Sequence, residues 1–157
     1  MAIYQAPNVT TYGYTPPGTG HGEAGITQHL HSVAYVSAAL AANDVIQFGY
    51  LPVNAVVVGA VLKADGQLDG NGAPTLAFDL GVTGSPALFK SAITTVGRVA
   101  GASADSTNAA AGTLYQNTSG GKLLVYATAT AAAATGAAGN VEVDISYFLA
   151  DTPGSAA

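Results

Sequence analysis

Polar and apolar residues alternate most cleanly near the end of the chain. Val141, Val143, Ile145, Tyr147 and Leu149 interleave there with Glu142, Asp144, Ser146, Phe148 and Ala150. Side chains change face at every residue of a strand, so this period of two predicts a strand. Earlier, His29, His31, Val33 and Tyr35 alternate with Leu30, Ser32, Ala34 and Val36, which predicts a strand half-buried on both faces. Asp44 to Gly49 is a second strand, stopped by Pro52, which has no amide proton for a ladder. Ala55 to Lys63 is β-branched and predicts a buried strand with a bulge at Gly59. Asp65-Gly66-Gln67-Leu68-Asp69-Gly70-Asn71-Gly72 predicts turns in which Asp-Gly and Asn-Gly supply positive φ. Strands follow at Thr75 to Val82 and, shorter, within Ala87 to Val96. Residues 100–112 are small and polar and predict a loop with at most one helical turn. Gly112 to Asn117 and Lys122 to Thr130 predict two strands on either side of a hairpin at Thr118-Ser119-Gly120-Gly121. The Ala- and Thr-rich run at 127–138 reads as a strand end followed by a loop.

About eight short strands separated by Gly, Pro, Asn and Asp turns predict an all-β protein, a single jelly-roll-like β-sandwich at residues 29–150. Residues 1–28 read as an extended N-terminal arm, because Tyr12 to Gly22 is rich in Pro and Gly. Tyr4, Tyr12 and Tyr14 are large residues for a solvated arm. With Pro16 and Pro17 they are the candidate contacts to a neighbouring subunit or partner. Residues 151–157 read as a flexible C-terminal tail.

Charge removes several functions. Four basic and nine acidic residues in 157 give a net charge of −5, the opposite of a phosphate-tracking nucleic-acid binder. No apolar run is long enough for a membrane helix, and the first five residues do not begin a secretory signal. The absence of cysteine removes disulfides, thiolate metal sites and cysteine nucleophiles. Only 8% of residues are charged, beside eight tyrosines. Interface cores show the same depletion of charge and enrichment in Tyr, so the composition suits life inside an assembly.

Candidate chemistry is sparse. His29 and His31 lie two apart on a predicted strand, so their bases are about 7 Å apart on one face, where two rings can converge on a metal ion. His21 or an acidic residue could join them, but a site needs three or four ligands and nothing else in the sequence fixes the rest. Asp65, Asp69 and Asn71 form a sparse calcium-like loop that lacks the EF-hand spacing and that turn formation already explains. Glu142 and Asp144 share a strand face, and the alternation around them explains them as solvent-facing. Asn8-Val9-Thr10 and Asn117-Thr118-Ser119 match the glycosylation sequon. No nucleophile elbow or phosphate loop is present, and neither catalytic residues nor a cofactor are expected.

The stretch Ala42-Asn43-Asp44-Val45-Ile46-Gln47-Phe48-Gly49-Tyr50-Leu51-Pro52-Val53-Asn54-Ala55-Val56-Val57, then Thr75-Leu76-Ala77-Phe78-Asp79-Leu80-Gly81-Val82 and the closing Val141-Glu142-Val143-Asp144-Ile145-Ser146-Tyr147, resembles the capsid decoration, or cement, proteins of tailed bacteriophages. The resemblance spans roughly residues 33–150. It implies a β-sandwich that sits as a homotrimer on the outer surface of the head, binds the major capsid protein at capsomer junctions and carries no enzymatic activity. In such proteins N-terminal arms reach onto neighbouring subunits, a role that fits residues 1–28. Two other readings remain. One is a carbohydrate- or receptor-binding module of a head spike or fibre base, with Tyr12, Tyr14, Tyr50, Tyr115 and Tyr126 as a stacking platform. The other is a small jelly-roll enzyme with His29 and His31 as metal ligands.

Overall fold

The computed structural model describes residues 1–5, 27–70, 72–106 and 114–150, and every regular element among them is a strand. In chain order these are β1 (Ile3–Gln5), β2 (Gln28–Val36), β3 (Val45–Leu51), β4 (Ala55–Ala64), β5 (Ala77–Val82), β6 (Ser85–Ile93), β7 (Ser103–Ser106), β8 (Tyr115–Gln116), β9 (Leu123–Ala131) and β10 (Gly139–Leu149). One sheet has the order β1-β3-β9-β5-β6. The other has the order β2-β10-β4-β7, with β8 also pairing β4.

The ten strands reduce to the expected eight. β7 and β8 pair two different stretches of the same side of β4, so they act as two pieces of one edge strand. β1 is an addition that pairs in parallel with β3. Without it each sheet has four strands, and successive strands change sheet except at the β5–β6 hairpin. That is the double Greek key of a jelly roll. Gly84, at φ 84°, turns the β5–β6 hairpin between Val82 and Ser85.

The core lies between the sheets. Val141, Val143, Ile145 and Tyr147 of β10 all point into it. The alanines of β9 have a packing role. Ala127 is in register with Ile46 on one side and Leu80 on the other, and Ala129 with Phe78. All five are buried, so small residues in the central strand leave room for large ones beside them. The strand carries Ala despite its helix preference because packing decides.

Several expectations are corrected. β2 buries one face only: Leu30, Ser32, Ala34 and Val36 are inside, whereas His29, His31, Val33 and Tyr35 point out. Residues 103–106, expected in a loop, form β7, because β4 offers an unpaired edge there. The expected hairpin after Gln116 does not form: β8 belongs to one sheet and β9 to the other, and the chain between them arches across the sandwich. Asn117 builds that arch. Fully buried, it donates from Nδ2 to the carbonyls of Leu51 (3.3 Å), Pro52 (2.9 Å) and Gly121 (2.8 Å) and accepts from Ser119 at Oδ1. Its amide is therefore occupied, which removes this sequon as a glycan site. Among the described residues, positive φ occurs at the non-glycines Asn43, Asn54 and Ala92, and not at Gly66, Gly70 or Gly72. Asp65 and Asp69 shape the described part of this loop instead.

The bulge expected at Gly59 is present: β4 slips by one residue against β10 between Gly59 and Val57. A second bulge in β3 frees the carbonyl of Phe48, which accepts a hydrogen bond from Ser32 Oγ of the facing sheet at 2.7 Å. This satisfies a buried polar pair across the core.

Candidate functional site

Two outer faces and one added strand hold what the described residues offer for binding. β1 begins at a clamp. The Asp44 carboxylate, 3% exposed, accepts the amide of Ala2 through Oδ1 and that of Ala41 through Oδ2 at 2.9 Å. The amide of Val45 returns a bond to the carbonyl of Ala2 at 2.9 Å. Gln5 Nε2 donates to Gln47 Oε1 at 2.6 Å at the far end. Tyr4, between them, is half-buried and packs on the core. The arm therefore starts as a strand of the sandwich. Tyr12, Tyr14, Pro16, Pro17 and His21 lie outside the described residues.

Beside β1, the outer face of its sheet holds an open groove of about 390 Å³. Met1 and Ile3, Val45 and Gln47 of β3, and Leu124 and Tyr126 of β9 line it. Its lining contains no charged side chain. Sequence reasoning missed it, because a three-residue strand is too short to show a period. Asp44 reads from sequence only as the first residue of a strand, whereas it lies just before β3 and clamps β1.

The three described members of the stacking platform are not brought together. Tyr50 and Tyr126 share this outer face, with Lys122 Nζ 4.5 Å over the Tyr50 ring. Tyr115 belongs to the other sheet and meets Phe89 edge-on at 6.2 Å. Burial pushes its phenol above the ordinary value.

The opposite outer face brings together four residues singled out separately. β10 lies beside β2, with His31 in register with Asp144 and His29 with Ser146. His29 Nδ1 is 2.8 Å from Asp144 Oδ1, and His31 Nδ1 is 3.6 Å from Glu142 Oε1 and 4.0 Å from Asp144 Oδ2. No group of three or more His, Cys, Asp or Glu among the described residues is arranged to hold a metal ion.

The calcium-like loop uses its carboxylates internally. Asp69 is fully buried and accepts four backbone amides, those of Thr75 (2.8 Å), Leu76 (3.0 Å), Ala134 (3.1 Å) and Thr135 (3.0 Å). Burial pushes its carboxyl up, but these four bonds outweigh that and hold it well below the ordinary carboxylate value. Asp65 accepts both the amide and the side chain of Asn140, at 2.9 and 2.6 Å, and the Asn140 side chain chiefly lowers its pKa. Arg98 Nη2 donates to the Thr75 carbonyl at 2.9 Å and fastens the far side of the loop. The two aspartates are brackets; Asn71 lies outside the described residues.

No protein-family model and no curated protein matches the sequence. Solved structures do. A chain of the "Cyanophage Pam1 capsid asymmetric unit" is similar with a TM-score of 0.71 and 29% identity, over 87% of this chain and 94% of that one. A chain of the "Capsid of Ralstonia phage GP4" is similar with a TM-score of 0.71 and 28% identity, over 96% of this chain and 100% of that one.

Proposed function

We propose that this chain is a structural protein of a tailed-phage virion that decorates the outside of the head and stabilises it, binding the major capsid protein across capsomer junctions as a homotrimer. One observation carries the reading: the likeness runs through nearly the whole of both chains, so an entire component of a phage capsid structure, rather than a shared motif, corresponds to this protein. Its composition supports the same reading, since a chain that is 8% charged suits buried contacts better than a free surface.

The mechanism is contact area multiplied by valency. Three copies held together bind three capsid sites at once, so the second and third contacts form at high effective concentration. The arm contributes Tyr12, Tyr14, Pro16 and Pro17 to that contact, and Tyr4 anchors its root on the sandwich. Pro-rich backbone loses little entropy on docking, and tyrosine offers a large area with few rotatable bonds.

The test has two parts. Light scattering behind a sizing column is expected to give three times the 15.4 kDa chain mass. The protein is also expected to co-sediment with purified expanded heads of the virus whose genome encodes it. Replacing residues 6–26 with a Gly-Ser linker of the same length is expected to reduce that co-sedimentation while leaving the melting transition in place. Failure of the intact chain to bind such heads at saturating concentration overturns the proposal.

A further inference from the structure

β2 is the edge strand of its sheet, and His29 and His31 stand on its outer face with side chains 55% and 54% exposed. Their surroundings are unlike those of two isolated surface histidines. Each ring turns its Nδ1 toward a carboxylate of the neighbouring strand β10. For His29 the contact is a hydrogen bond of 2.8 Å to Asp144, with Ser146 Oγ at 3.3 Å from the same nitrogen. A carboxylate that accepts from Nδ1–H leaves the lone pair on Nε2, at the far edge of the ring. The same outer carboxylate orients the ring and raises the basicity of histidine ligands in metal sites.

We propose that His29 and His31 form a two-toothed site for one first-row transition-metal dication, bound through their Nε2 atoms, with Asp144 and Glu142 as outer partners. Residues two apart on a strand set the two rings about 7 Å apart at their bases, close enough to converge on an ion with bonds of about 2 Å. Lys63 is the one basic residue in register with this patch, opposite Glu142 on β4. The second carboxylate is left to offset the charge of a dication. No third His, Cys, Asp or Glu among the described residues completes a ligand set, so water or a docking partner fills the remaining positions. Two nitrogen donors with open positions favour metals in the order copper, nickel, zinc. The site stands on this face alone and does not depend on the virion reading.

The experiment uses the untagged full chain, titrated calorimetrically with copper(II), nickel and zinc chlorides in separate runs. One saturable equivalent is expected, tightest for copper. His29→Gln and His31→Gln are each expected to weaken binding at least about tenfold, and Asp144→Asn about tenfold through loss of ring orientation. Copper electron paramagnetic resonance is expected to show two imidazole nitrogens in the intact chain and one in either histidine variant. All three variants lie on an exposed face, and an unchanged melting transition confirms that they fold. His21→Gln is expected to change nothing. Absence of saturable binding below about 1 mM, or binding that survives His29→Gln and His31→Gln together, overturns the proposal. So does a loss caused by His21→Gln.

Discussion

Asp69 shows how much of this fold rests on single polar side chains. Its carboxylate gathers amides from two separated segments, Thr75–Leu76 and Ala134–Thr135. It does so only while ionised, and its pKa in the folded chain lies well below the value of about 3.9 expected in the unfolded chain. A depressed carboxylate contributes stability that is fully present above the unfolded value and is lost as pH falls toward the folded one. Urea midpoints are therefore expected to hold from pH 7 to about pH 5 and to fall steeply below about pH 4. In Asp69→Asn the same titration is expected to be shallower and to start from a lower midpoint, because an amide donates where a carboxylate accepted. Ala92 makes an opposite case. It sits at φ 52° in a bulge of β6, where its amide donates to Asp79 Oδ1 at 2.8 Å. Left-handed backbone strains an alanine and suits glycine, so Ala92→Gly is expected to raise stability by about 0.5–1 kcal/mol, read as a higher melting temperature.

At the scale of elements, the strands that share a long alternating pattern are legible, and so is the place of β8 within Gly112 to Asn117, whereas β1 and β7 are not. β10 and β4 announce themselves by periodicity and β-branched content, and their boundaries fall within two residues of expectation. β7 and β8 are four and two residues long, and what makes them strands is the free side of β4 rather than their own composition. Asn117 could not be read as a corner from sequence, because an Asn before Thr-Ser-Gly-Gly signals a hairpin and an arch equally well. The site behaves the same way. The two histidines were visible as a pair and the two carboxylates as another, but only the register of β2 with β10 joins them. β1 depends on the Asp44 clamp in a way that can be measured. Asp44→Ala removes the acceptor for Ala2 and Ala41 while leaving the β10 ladders with β2 and β4 untouched. Hydrogen exchange is expected to show lost protection at Val45, whose amide bonds the Ala2 carbonyl, with full protection retained along β10.

For the whole molecule, the scarcity of charge has a consequence for how it associates. Several of its charged groups are already committed: Asp44 and Asp69 are buried, Asp65 is held by Asn140, Arg98 binds the Thr75 carbonyl, and Lys122 lies over Tyr50. No charged side chain lines the groove beside β1. An assembly built from such surfaces draws on apolar burial, which salt does not screen, rather than on ion pairs, which it does. Binding to capsid heads is therefore expected to change by less than about threefold between 0.1 and 1 M sodium chloride. An electrostatically steered complex weakens far more over that range, and its association rate falls with it. Co-sedimentation isotherms at the two salt concentrations separate the cases. A steep loss at high salt would move the contact from the arm, whose one acidic residue is Glu23, to a charged surface such as the β2–β10 face, where His29 and His31 stand beside the half-exposed Glu142 and Asp144.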